Sequence, residues 1–60
     1  MFDLQIALSD DKAAALAQLI KRITWSSLRE NAVDDDEAYA MQRALEDVRK
    51  ALVEHGFDPR

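Results

Sequence analysis

The single histidine, His55, and four hydroxyl side chains are the residues whose types could support nucleophilic catalysis. A catalytic histidine needs a nucleophile and an orienting group within hydrogen-bond reach. Ser9 is accounted for as a helix cap, and no spacing places Thr24, Ser26 or Ser27 beside His55. The chain has one glycine, too few for a phosphate-binding loop. We therefore expect a protein that is not an enzyme and needs no cofactor.

Carboxylates form the most conspicuous cluster in the sequence. Five acids and no base lie between positions 30 and 42: Glu30, Asp34, Asp35, Asp36 and Glu37. A calcium-binding EF-hand loop takes ligands at alternate positions with a glycine at the sixth, whereas these acids are contiguous and open a helical pattern. We expect no metal site. The run either starts a helix or forms an acidic patch that faces a partner.

Charge is sorted along the whole chain. The net charge of −4 divides as −3 over residues 1–11, +4 over 12–29, −5 over 30–42 and zero over 43–60. The bases are Lys12, Lys21, Arg22 and Arg29. They could contact phosphate, or they could neutralise the acidic run once the chain reverses. Because the pI is near 4.7, we do not favour direct nucleic-acid binding, although the sequence leaves it open.

The elements that must position these residues begin with an apolar alternation. Apolar side chains from Phe2 to Leu8 recur at every second position, which predicts an N-terminal strand or extended arm over residues 2–8. No second strand is predicted. The segment should therefore pair with its copy, add to a partner's sheet or lie across the helices.

Two cap signals define the helices. Ser9 caps a predicted helix over about 10–24, and Asp34 with Glu37 forms a capping box that starts a helix over about 35–55. The apolar stripe of the first helix changes phase near Thr24. Either a short helix follows over about 25–32, or one long helix presents Trp25 on its outside. The predicted stripes are Ala13, Leu16, Leu19, Ile20 and Ile23, then Ala38, Met41, Leu45, Val48 and Leu52.

The end of the last helix also carries a signal. Gly56 followed by Phe57 predicts a Schellman ending, and Pro59 prevents continuation. On the outer face, Glu46 and Lys50 are spaced for an ion pair. The fold class we predict is mostly α: an antiparallel helical hairpin or three-helix arrangement with an N-terminal β-strand or extended arm, in a single domain over residues 1–60.

Chain length limits stability. Sixty residues bury only roughly 60% of the surface of the unfolded chain, so we expect help from oligomerisation or a partner. The absence of cysteine fits a reducing compartment, no apolar stretch is long enough to span a bilayer, and Met1-Phe2-Asp3 lacks a basic signal-peptide start. We expect a cytoplasmic protein with no membrane contact.

The order of a strand and two helices over Phe2 to about Val33 resembles the ribbon-helix-helix repressors and antitoxins. The resemblance implies a homodimer through residues 2–8 whose paired strands enter the DNA major groove. It would direct Asp3, Gln5 and Ala7 to the bases, a task that suits only Gln5.

The run Ala32 to Tyr39, downstream of Ile23-Thr24-Trp25-Ser26, looks like a pattern in small bacterial proteins, some associated with mobile elements. In size, acidity and lack of catalytic residues the chain is also similar to anti-CRISPR proteins, several of which imitate DNA. That likeness implies a protein partner with a basic surface. It would make Glu30, Asp34, Asp35, Asp36 and Glu37 phosphate surrogates, with Trp25 and Tyr39 as apolar anchors.

Trp25 and Tyr39 avoid the apolar stripes, so they either pack on each other or anchor an interface. The interpretation we favour is a non-enzymatic acidic binding protein that docks on a basic, nucleic-acid-binding protein surface and inhibits it. One alternative is a dimeric ribbon-helix-helix regulator or antitoxin. Another is a structural homo-oligomer held by N-terminal strand pairing.

Overall fold

Three helices make up the fold. The computed structural model describes residues 1–57, in which α1 spans Asp10–Arg22, α2 spans Trp25–Glu30 and α3 spans Asp35–Glu54. The long helix α3 contacts both α1 and α2. The prediction of a mostly helical fold is confirmed, in its three-helix form.

The break near Thr24 is a change of helix. At the end of α1, Ile23 has an extended backbone, and the Thr24 hydroxyl accepts a hydrogen bond of 3.2 Å from the backbone N–H of Ser27. Thr24 is thus the N-cap of α2, as Ser9 is of α1, where it accepts from the N–H of Lys12 at 3.3 Å. Trp25 therefore begins a new helix and is not the outer face of a continuous one.

Both ends of α3 are closed by the predicted motifs. The N–H of Glu37 donates to Asp34 Oδ1 at 2.8 Å, while Glu37 Oε1 accepts from the N–H of Val33 at 3.0 Å. The reciprocal bond of Glu37 is thus made with Val33, the residue before the N-cap, and not with the N-cap Asp34 itself. At the other end, the N–H of Phe57 donates to the Leu52 carbonyl at 2.9 Å across Gly56, whose φ is +90°. This is the Schellman ending; Pro59 lies outside the described residues.

The core combines alanines with a few larger aliphatic side chains. Ala13, Ala17 and Ile20 of α1 are buried with Leu52 of α3, and Leu16, Leu45 and Phe57 pack against them. Leu28 of α2 and Ala38 of α3 are also buried. Two residues of the predicted stripes are in fact exposed, Leu19 by 57% and Val48 by 39%. Among the described helices, α1 contacts only α3, so part of its apolar surface stays uncovered.

The N-terminal segment forms no strand within residues 1–57. Residues 1–9 have neither helix nor strand, and Phe2, Leu4 and Ile6 are exposed by 95%, 81% and 67%. The predicted strand or extended arm over residues 2–8 is therefore not supported for the single chain. The physical reason is that a strand needs a second strand to receive its backbone hydrogen bonds, and this part of the chain supplies none.

The predicted partner of Glu46 also changes. Arg49 Nη2 lies 2.7 Å from Glu46 Oε1, so the pair forms three residues apart and not with Lys50. The hydrogen bond from Arg49 lowers the pKa of the Glu46 carboxyl. A carboxyl whose pKa is lowered by folding stabilises the folded state above its ordinary pKa, and this contribution is lost as the pH falls through the lowered value.

Over the described residues, no helix has the length and apolar content required to cross a membrane.

The Schellman ending makes a test of the fold. Gly56→Ala should lower the free energy of unfolding by about 1 kcal/mol, because an L side chain at positive φ is strained even where space is open. Gly56→Asn should lose less, since Asn tolerates the left-handed region. Urea unfolding followed by circular dichroism would measure both, and equal stability of Gly56→Ala and wild type would contradict the motif.

Candidate protein-binding surface

Two aromatic rings meet where α2 folds back on α3. Trp25 is the first residue of α2 and Tyr39 lies in the second turn of α3; their ring centroids are 4.6 Å apart and their planes are tilted by 42°. The residues remain 39% and 50% exposed. The two predicted roles are therefore not exclusive, because the rings pack on each other and still present apolar surface to solvent.

An ion pair joins the same two helices one turn away. Arg29, four residues after Trp25, donates from Nε to Asp35 Oδ1 at 2.6 Å, and Asp35 lies four residues before Tyr39. Arg29 also donates from Nη1 to the Ala32 carbonyl at 3.1 Å, which ties down the connecting loop. We call Trp25, Arg29, Asp35 and Tyr39 the α2–α3 clasp. Its order of contacts shows that α2 and α3 run antiparallel.

The contributions of the two contacts differ in kind. The Arg29–Asp35 pair is exposed, so it contributes at most about 1 kcal/mol and is weakened by salt. An aromatic pair contributes about 0.5–1.5 kcal/mol beyond the area that it buries, and salt does not screen it. In addition, Leu28 of α2 and Ala38 of α3 are buried apolar residues.

The five acids of the predicted patch do not act alike. Asp34 caps α3, Glu37 completes the capping box, and Asp35 is neutralised by Arg29. Within residues 1–57, Asp36 and Glu30 form neither an ion pair nor a side-chain hydrogen bond. The acidic surface available to a partner is thus centred on two acids and not on five.

Those two acids flank the clasp. Glu30 lines a shallow open depression together with Trp25, Ser26 and Arg29. Asp36 precedes Tyr39 by three residues on α3, so the two side chains share a face of that helix. The geometry joins a pair of half-exposed aromatic rings to two unneutralised carboxylates.

The remaining candidates are not drawn together. Among the described residues Arg29 alone of the basic block pairs with the acidic run; Lys21 and Arg22 do not. His55 is the exposed C-cap of α3, while the hydroxyls of Thr24 and Ser27 bond to each other at 3.1 Å. No cluster of acids and histidine over residues 1–57 has the arrangement to hold a metal ion.

The sequence allowed the basic residues to neutralise the acidic run, but it did not identify Arg29 as the one that pairs with Asp35. The spacing held a signal: Arg29 follows Trp25 by four residues, and Asp35 precedes Tyr39 by four. When two helices lie side by side and antiparallel, this equal spacing allows the two rings to contact each other and the two charged groups to form an ion pair.

Comparison with protein families matches residues 1–60 to DUF7706, a family of unknown function, and the chain belongs to that family. No curated protein and no solved structure matches the chain. The family match gives no support to the anti-CRISPR or ribbon-helix-helix resemblance.

The single tryptophan reports directly on the clasp. Tyr39→Ala should shift the emission of Trp25 to longer wavelength and lower the free energy of unfolding by about 1 kcal/mol, because the ring that partly shields the indole is removed. Tyr39→Phe keeps the ring and serves as the control. Fluorescence spectra and urea unfolding would measure the two effects, and an unchanged spectrum in Tyr39→Ala would show that the rings do not pack.

Proposed function

We propose that this chain is a non-enzymatic binding protein that docks the α2–α3 clasp and its two flanking acids on a basic protein surface. One observation carries the proposal: Trp25 and Tyr39 remain 39% and 50% exposed beside Glu30 and Asp36, which no base among residues 1–57 neutralises.

The aromatic pair is suited to act as the anchor. Tryptophan and tyrosine are the residues most often found at the energetic centre of protein interfaces. Here each ring is already held against the other, and Arg29 fixes the loop between their helices. Docking would therefore order few side chains, which reduces the entropy that association costs. A guanidinium of the partner could also lie over the exposed indole face.

The acids supply direction more than affinity. Carboxylates at the rim of an interface accelerate encounter with a basic surface and reject acidic ones, and the net charge of −4 acts in the same sense. Asp34, Asp35 and Glu37 remain part of the negative field, but their bonds within the chain limit their freedom to contact a partner.

A nucleic-acid-binding protein is the partner class that this chemistry fits. Such proteins present clustered Lys and Arg, and a ligand seated there would exclude nucleic acid and so inhibit the partner. We therefore propose an inhibitor that acts in the cytoplasm and imitates the negative charge of nucleic acid. In contrast to the sequence-based interpretation, the two aromatic anchors contribute more of the contact than the acids do.

Reversal of the two flanking acids tests this proposal. Glu30→Lys with Asp36→Lys should abolish capture of a basic protein from cell extract at moderate salt. The matched control is Asp47→Lys with Glu54→Lys, which changes net charge equally on α3 away from the clasp and should retain capture. A purified partner recovered by wild type should also lose nucleic-acid binding when the chain is added. Equal capture by both double variants would contradict electrostatic docking at the clasp.

A dimeric ribbon-helix-helix regulator is the second candidate, favoured by the exposed apolar alternation over residues 2–8. In that arrangement Asp3 would approach phosphate and be repelled, and Gln5 alone suits base contacts. We expect no salt-dependent binding of labelled duplex DNA by fluorescence anisotropy, even at low salt. Tight binding that falls steeply with salt, and that Gln5→Ala removes, would favour this candidate over the first.

A further inference from the structure

We infer that residues 2–8 are an interface with a second copy of this chain, in which two N-terminal segments pair as an antiparallel ribbon about a two-fold axis at Gln5. The proposal concerns a surface separate from the α2–α3 clasp, so it is independent of docking at the clasp, whereas the ribbon-helix-helix candidate would require it.

The first argument is the exposed area. The chain exposes 5142 Å². A compact monomeric protein of its mass, 6.8 kDa, exposes about 4,000 Å², so the excess is about 1,100 Å² per chain. A standard protein interface buries about 800 Å² on each partner. The single chain therefore leaves open more surface than a stable dimer needs to cover.

Exposed apolar side chains on the helices point the same way. Leu19 on α1 and Val48 on α3 remain open to solvent, so apolar surface is left on both helices for a second copy to cover.

The second argument is the chemistry of the segment. Phe2, Leu4 and Ile6 are mostly solvent-exposed, and Leu8 by 40%. Over residues 1–57, the peptide groups of positions 2–8 make no hydrogen bond to another residue. An alternating apolar segment with an unpaired backbone is a template for strand pairing, and charges, prolines or bulges that would prevent it are absent apart from Asp3.

Register follows from the positions of the side chains. Antiparallel pairing about Gln5 places Phe2 opposite Leu8 and Leu4 opposite Ile6, which gathers all four apolar residues of each strand on one face. The other face then pairs Gln5 with its copy.

Asp3 favours the antiparallel orientation of the two segments. In the antiparallel arrangement Asp3 lies opposite Ala7 of the other chain, whereas parallel pairing in register would set Asp3 against Asp3, an unfavourable contact of like charges. The segment is thus self-complementary in one orientation, as an interface with two-fold symmetry requires. This argument selects a second copy over an unrelated sheet edge.

Disulfide trapping tests both the dimer and its register, because the natural chain has no cysteine. In full-length protein under mild oxidation, Gln5→Cys should cross-link almost completely to a dimer, since directly opposed residues of antiparallel strands have Cα atoms within disulfide reach. The matched control Asp3→Cys should cross-link poorly by itself, but an equimolar mixture of Asp3→Cys and Ala7→Cys should form the mixed dimer.

Sedimentation equilibrium of the wild type supplies the second measurement. We expect a mass about twice 6.8 kDa, and a monomer for Leu4→Asp with Ile6→Asp. A wild-type monomer at all concentrations would overturn the proposal, as would a dimer that survives that double substitution. Equal cross-linking of Gln5→Cys and Asp3→Cys would overturn the antiparallel register. Should the double variant be unfolded, the cross-linking pattern decides.

Discussion

The packing of α1 and α2 against α3 is the interaction on which the remaining structure depends. Helix α3 alone contacts both other helices, and two of the three α1 residues in the buried core, Ala13 and Ala17, are alanines. Alanine lets helix axes approach closely but contributes little apolar area, so the free energy gained by burial is small. No large side chain in residues 1–57 is completely buried. A fold with so small a core relies on the integrity of its longest helix.

The caps preserve that integrity and at the same time shape the surface. Asp34 and Glu37 satisfy backbone donors at the start of α3, and Gly56 with Phe57 satisfies carbonyls at its end. Because the capping box engages Asp34 and Glu37, the intervening acids are left for other contacts. Asp35 turns to Arg29, and Asp36 has no partner in residues 1–57. The same four residues thus serve stability and charge display.

The acidic and basic blocks of the sequence form only a small charged patch in the folded chain. The basic block and the acidic run meet at one ion pair, Arg29 with Asp35, while Lys21 and Arg22 form no such pair in the described part. What a partner would meet is a surface of two half-exposed rings, with Glu30 near Trp25 and Asp36 three residues before Tyr39 on α3. The unsatisfied N-terminal segment is a different kind of surface, apolar and open in its backbone, which fits self-association and not a basic partner.

Local signals determined most of the secondary structure. The caps at Ser9 and Asp34, the phase change near Thr24 and the Schellman ending at Gly56 each involve residues at most five positions apart, so their hydrogen bonds form from short-range geometry alone. Tertiary structure decided which apolar residues are covered, that Arg29 pairs with Asp35, and that Trp25 packs on Tyr39 yet stays half-exposed. These depend on how many elements surround each helix and how α2 reverses onto α3. The predicted strand over residues 2–8 shows the limit of such local signals. The sequence contains the apolar alternation, but a strand forms only where another backbone lies beside it.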